Sequence, residues 1–229
     1  MALLLRGALV EYGSDFLGPL PNVVVFQFNP EQIARTISIP QRQEETGKIV
    51  RAANLHSAAG PPTESFTLTA HFSAADDLGR GGALAVTPRL LGVGPQLAAL
   101  EKMVYPSNVI GGLLGKAVDA IGGLLGADKK SATDKKPPEK LPRILFIWGL
   151  TRVLPVRIQS LSITEQKFDF LLNPVQAEVQ IGLAVPTFPK KTDDELGKGA
   201  LAYTNGVKEA QAALNLVKAI ELSIDIIPF

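Results

Sequence analysis

Val175-Gln176-Ala177-Glu178-Val179-Gln180-Ile181-Gly182-Leu183 is the stretch on which the fold turns. Successive side chains of a strand point to opposite faces, so Val175, Val179, Ile181 and Leu183 line one face, while Gln176, Glu178 and Gln180 line the other. The same period recurs from Thr63 to Phe72, where Phe66, Leu68, Ala70 and Phe72 oppose Ser65, Thr67, Thr69 and His71. Val23 to Phe28 and Ile144 to Trp148 are denser in apolar and β-branched residues and read as strands covered on both sides. Arg152 to Lys167 reads as one long strand in which Pro155 demands an edge or a bulge. The opening Met1 to Arg6 resembles a signal peptide only superficially. Its apolar run is short and broken by Arg6 and Glu11, so it reads as a further strand. The expected class is mainly β with flanking helices.

Two helices are expected beside the strands. Leu97, Leu100 and Val104 lie at helical spacing after Pro95, and that helix stops before Tyr105-Pro106. A second runs from about Thr204 to Ile227, with Val207, Ala210, Leu214, Val217, Ile220, Ile224 and Ile227 forming an apolar stripe. A stripe of this kind needs a surface to cover it, so Val207, Leu214, Val217, Ile220 and Ile224 are the candidate partner interface. The expected organisation is a β-domain over 1–188, interrupted by an inserted loop at 107–142, then a linker and the amphipathic helix over 189–229. The insert is apolar and glycine-rich from Val109 to Gly126, then charged and proline-containing from Asp128 to Lys140.

Composition narrows the function. The 229 residues carry 23 Lys+Arg against 22 Asp+Glu, which leaves no basic footprint for nucleic acid. Without cysteine there are no disulfides, thiolate metal sites or cysteine nucleophiles, and assembly in the cytoplasm fits. No run of about 18 continuous apolar residues is present, so a membrane-spanning helix is not expected.

Enzymatic readings find little support. His56 lies in a loop and His71 on the polar face of a strand, at no spacing that would bring two ligands together. Asp76-Asp77 reads as a turn and helix cap more readily than as an acid/base pair. Gly79-Arg80-Gly81-Gly82 lacks the Lys-Ser/Thr of a phosphate loop and the spacing of a dinucleotide fingerprint. Val109 to Gly126 has the look of a segment that settles at a bilayer interface. Each glycine weakens a helix by about 1 kcal/mol, however, so an apolar loop packed on its own protein is favoured there and membrane contact is not expected. No catalytic residue, cofactor or metal site is expected.

Two local signatures carry more. Val23-Val24-Val25-Phe26-Gln27-Phe28-Asn29-Pro30-Glu31 is a strand whose end is closed by Phe28, Asn29 and Pro30, because proline forces the residue before it to be extended and supplies no ladder donor. Pro142-Arg143-Ile144-Leu145-Phe146-Ile147-Trp148-Gly149 sets Trp148 beside Gly149, a residue that lets another backbone approach the ring. Two shorter stretches complete the set: Leu68-Thr69-Ala70-His71-Phe72, followed by its acidic turn, and Leu172-Asn173-Pro174-Val175.

In their order along the chain these signatures resemble the baseplate and tube proteins of bacterial contractile injection systems, over roughly Met1 to Phe188. The nearest likeness is to the adaptor that joins the central spike to the inner tube and initiates tube assembly. The resemblance implies a tail-tube-like fold of two packed β-sheets, a homohexameric ring and no cofactor. It also implies spike protein, inner tube protein and other baseplate components as partners, in a particle that is either released or anchored. Phe28, Asn29, Pro30, Trp148, Gly149, Asn173 and Pro174 are the family-motif residues. Some such adaptors carry a peptidoglycan-binding LysM module after the tube domain; this chain shows only the helix. The inner tube protein itself, and a membrane-docking protein using the glycine-rich insert, are the alternative readings.

Overall fold

The structure, a computed structural model, describes residues 5–13, 22–41, 58–75, 90–105, 141–189 and 191–226. Seven strands lie in them: β1 (Ala8–Tyr12), β2 (Val23–Val25), β3 (Ile33–Ser38), β4 (Thr63–Ser73), β5 (Arg143–Trp148), β6 (Arg152–Phe168) and β7 (Pro174–Ala184). Helix α1 (Gly94–Lys102) precedes β5, and helix α2 (Glu195–Ile226) follows β7. All pairings are antiparallel, and the strands join in one sheet in the order β2-β1-β5-β6-β7-β4-β3. The expectation of two packed sheets is thereby met only in its coarser part: the chain is mainly β, with a single continuous sheet and a C-terminal helix.

Continuity comes from β6, which changes partner along its length. Arg152 to Val156 pairs with β5, whereas Arg157 to Phe168 pairs with β7, and the register shifts between Ile158 and Ser160. Pro155 stands opposite Leu145 in the part that has only β5 beside it. A residue without an N–H is tolerated there, because an edge has no second neighbour to deprive of a donor.

Alternation places the core as expected. Phe66, Leu68, Ala70 and Phe72 of β4 are buried, as are Ala177, Val179, Ile181 and Leu183 of β7. Leu9, Val24, Phe26, Ile144, Phe146, Leu154 and Val156 join them from the other half of the sheet in one cluster. The Phe66 and Phe146 rings meet with centroids 5.8 Å apart, so β4 and β5 share this core although they are not neighbours in the sheet. Helix α1 closes one side with Val93, Leu97, Leu100 and Met103; Met103 takes the inward place expected of Val104.

Strand β2 corrects the reading of its three valines. The sequence predicts cover on both sides, but β2 forms an edge of the sheet, so Val24 alone points inward and Val23 and Val25 are exposed. The opposite edge, β3, is exposed over almost its whole length. Helix α2 starts at Glu195, well before Thr204. Its first turn is capped by Asp194, whose Oδ1 accepts from the Gly197 N–H at 2.9 Å.

Candidate interaction surfaces

The motif residues act as joints between distant segments. Asn29 holds the start of the chain in two places: its Oδ1 accepts from Gly7 N–H and its Nδ2 donates to the Leu5 carbonyl, each at 2.9 Å. Gln27, two residues earlier, treats β4 in the same manner. Its Nε2 donates to the Ser73 carbonyl and its Oε1 accepts from Ser73 N–H, each at 2.7 Å. An amide side chain used this way imitates a backbone peptide and satisfies groups that a strand end would leave unpaired. Pro30 is buried, while Phe28 is exposed.

Trp148 packs between Phe26 and Phe146, with centroids 6.4 and 6.0 Å away. The glycine that makes room for it is Gly7, where a Cβ would collide with the indole. This corrects the pairing of Trp148 with Gly149. Nothing lies within 4 Å of a Cβ built on Gly149, whose φ of +65° instead serves the turn between β5 and β6. Asn29 and Trp148 thus converge on Gly7, which the sequence reading missed because the contact is distant in sequence.

Asn173 and Pro174 close the opposite end of the molecule, at the β6–β7 hairpin. Asp169 Oδ1 accepts from the backbone N–H of Leu171 and of Asn173, and its Oδ2 accepts from Asn173 Nδ2. These bonds, that from the Asn173 side chain first, hold the Asp169 carboxyl below its ordinary range. Asn173 Nδ2 also donates to the Leu90 carbonyl, and the Pro174 carbonyl accepts from Val93 N–H, which ties the hairpin to the segment before α1. Gly92 lies so close beneath that a Cβ there would meet the Pro174 oxygen. Held in this frame, Phe170 is 90% exposed and Leu172 79%, with Phe168, Leu171, Leu90 and Leu91 exposed nearby. Apolar side chains grouped on a fixed turn make this tip a candidate contact surface. The sequence signal was the Asp169-x-x-x-Asn173 turn enclosing Phe-Leu-Leu.

Helix α2 is fastened to its own domain by polar contacts. The Tyr12 hydroxyl donates to Asp194 Oδ2 at 2.8 Å, and Arg143 pairs with Asp193 at 2.9 Å; Tyr12 and Arg143 are themselves cross-strand partners. The Tyr203 hydroxyl donates to the Leu150 carbonyl. Thr204, fully buried, accepts from Val153 N–H at 3.0 Å and donates to the Val153 carbonyl at 2.7 Å. Lys208 reaches Glu64, which also pairs with Arg35 of β3. Beyond Lys208 the described side chains are all exposed.

The expected apolar stripe therefore divides. Val207 is half-buried and Leu214 is 71% exposed, with Leu216 at 62% beside it. The side chains of Val217, Ile220 and Ile224 lie outside the described residues, although the helical backbone reaches Ile226. His71 is exposed on β4. His56, Asp76, Asp77, Gly79 to Gly82 and nearly all of the 107–142 insert are also outside the described residues. Among the described residues no group of three or more His, Cys, Asp or Glu is arranged to hold a metal ion, and no helix is long and apolar enough to cross a membrane. The chain matches no protein-family model and no curated protein.

Proposed function

We propose that this chain is a structural ring subunit of a contractile injection system, adapting the central spike to the inner tube and initiating tube assembly, with no catalytic role. The β6–β7 hairpin is the observation that carries the reading. Its turn is closed by Asp169 and Asn173 and turns Phe170, Leu171 and Leu172 into solvent. A chain acting alone gains nothing from that arrangement, whereas a subunit docking on a neighbouring layer needs it.

The mainly β architecture, with both sheet edges exposed, supports a tail-tube-like fold closing into a homohexameric ring, since a ring is one way to cover such edges. A formal net charge of +1 suits subunits that stack closely and gives nucleic acid no purchase. In this reading the subunits assemble in the cytoplasm into a phage-tail-like particle with spike, tube and baseplate components.

Native mass spectrometry of the chain alone and mixed with spike and tube proteins tests the proposal. The expected result is a ring that binds both. Phe170→Ser combined with Leu172→Ser should abolish binding to one of them and leave thermal stability unchanged, because neither side chain is buried. A chain that stays monomeric and binds neither partner would overturn the reading. Stoichiometry in purified particles separates the adaptor, present as one layer, from the tube protein, present in many.

A further inference from the structure

On the face of the sheet turned away from the core, the end of β7 runs between β4 and β6 with small residues. Ser65, Ala184 and Arg157 stand directly opposite one another across the three strands. In the next row the same is true of Thr67, Gly182 and Ser160. By alternation these residues lie on the face opposite to buried Phe66, Ile181 and Leu183. Neighbouring strands are about 4.8 Å apart, so Ser65 and Arg157 flank Ala184 with backbones roughly 10 Å from each other. Between them is a cavity of about 390 Å³. Ala184 lies along its middle, with Thr63 and Ser65 on one side, Arg157 and Gln159 on the other, and Pro186 beyond the strand end.

The register shift between Ile158 and Ser160 furnishes one wall. Regular alternation would send Ser160 toward the core, but the extra residue in β6 leaves both Gln159 and Ser160 on the outer face. Gly182 makes room for this arrangement, since a Cβ there would meet the Ser160 hydroxyl. The polar groups so gathered are uncommitted. The side chains of Arg157, Gln159 and Ser65 make no hydrogen bond or ion pair among the described residues. Glu64 also borders the cavity, yet its carboxylate is taken by Arg35 and Lys208. The guanidinium of Arg157 is therefore the one charge among the lining residues that the protein itself does not balance.

We infer that this cavity binds a carboxylate. A guanidinium presents paired N–H donors that match the two oxygens of that group. A single cation balances a single negative charge, which fits a carboxylate better than a phosphate group carrying about −1.5 to −2. The Ser65 hydroxyl and the Gln159 amide border the same cavity and supply further donors, while Ala184 and Pro186 offer an apolar surface. Small-molecule sites span about 300–1,000 Å³, so there is room for the atoms that carry the carboxylate as well as for the group itself. The ligand is thus a small carboxylic acid or an acidic side chain with its neighbours. The inference does not depend on the place of the chain in a particle.

Isothermal titration calorimetry of the full chain at low salt tests it. The probes are N-acetylglycine, a free carboxylate, and a blocked Ala-Glu-Ala tripeptide, whose carboxylate is on a side chain. At least one should bind with a Kd of about 1 mM or tighter, and blocked Ala-Gln-Ala should not bind. Arg157→Gln should weaken binding by at least about tenfold, because it removes the charge from the hydrogen bonds. Arg157 is exposed, so this change should leave the melting temperature unaltered. Ala184→Leu should weaken binding equally by filling the cavity while keeping the guanidinium. Binding of N-acetylglycine would identify a free acid, and binding of the tripeptide alone an acidic side chain of a partner; both uphold the inference. It falls if neither carboxylate binds at about 10 mM, if blocked Ala-Gln-Ala or inorganic phosphate binds as tightly, or if either variant, once shown to be folded, binds as the unaltered chain does. Ring formation and binding of spike and tube are measured separately, so failure of the adaptor reading would be distinguishable from failure of this one.

Discussion

Gly7→Ala adds one methyl group at a crowded point of the core. Its Cβ would collide with Cε3 of Trp148 and lie 2.5 Å from Cζ3 of the same ring and 2.8 Å from Cδ2 of Phe26. Carbon atoms rest comfortably at about 3.5–4.0 Å, so the indole would have to move by about 1 Å. Fully buried Phe26 and Phe146 stand on either side of it, which leaves little room to do so. Overpacking of this kind costs about 1–3 kcal/mol, and the severity of the clash argues for the upper part of that range. Restricting the unfolded chain returns about 0.4–1 kcal/mol. The net loss is then about 1.5–2.5 kcal/mol, a fall in Tm of about 3–10 °C for a chain of this size. Thermal and urea unfolding followed by far-UV circular dichroism would measure it. Trp148 is the only tryptophan, so its fluorescence should shift in the same variant. The decisive arm is Trp148→Phe, which removes part of the ring that Gly7 faces. In that background Gly7→Ala should cost at least about 1 kcal/mol less, a coupling expected of residues in contact. Equal cost in both backgrounds would refute the assignment of Gly7 as the seat of the indole.

Two further perturbations address the root of α2. Thr204→Val should destabilise by about 1–3 kcal/mol, because it leaves the N–H and carbonyl of Val153 without their partner; Thr204→Ser should restore most of the loss, with urea midpoints as the readout. Burial, then the hydrogen bond to Asp194, pushes the Tyr12 phenol well above its ordinary value. A group raised on folding contributes stability that is complete below its unfolded pKa of about 10 and is lost as pH rises beyond it. Unfolding free energy should therefore fall above about pH 10, and Tyr12→Phe should flatten that alkaline limb.

How much of this was legible in the sequence depends on whether a feature is local. The faces of β4 and β7 were legible, because period-two alternation is written residue by residue and each strand has a buried face. Val23-Val24-Val25 misled because edge position is a property of sheet order, and a row of valines looks the same at an edge as at the centre. The start of α2 was hidden by Gly197 and Gly199, which depress helix propensity just where Asp194 supplies the cap. Trp148 was matched with the glycine next to it in sequence, while the one it needs comes from the first segment of the chain. The hairpin tip was passed over because alternation says nothing about how loop side chains point; the turn chemistry of Asp169 and Asn173 decides that.

The two sides of α2 are built from different chemistry, and that difference has a mechanical consequence. Its inner side is located by directional contacts: Asp194 with Tyr12, Thr204 with Val153, and Lys208 with Glu64. Such bonds fix both the rotation and the axial position of the helix while using little apolar surface, since Leu201 and Val207 are only partly buried. An apolar inner side would have tolerated slippage, because dispersion and hydrophobic contact are not directional. Fixing the rotation also fixes where Gly199 and Gly206 face, and both lie in the stretch that is still fastened to the domain. The face that carries them is therefore presented at a set angle before the helix extends beyond Lys208. A free tail with the same sequence would have to be ordered by whatever it met, whereas here the ordering of its root is supplied in advance by the fold.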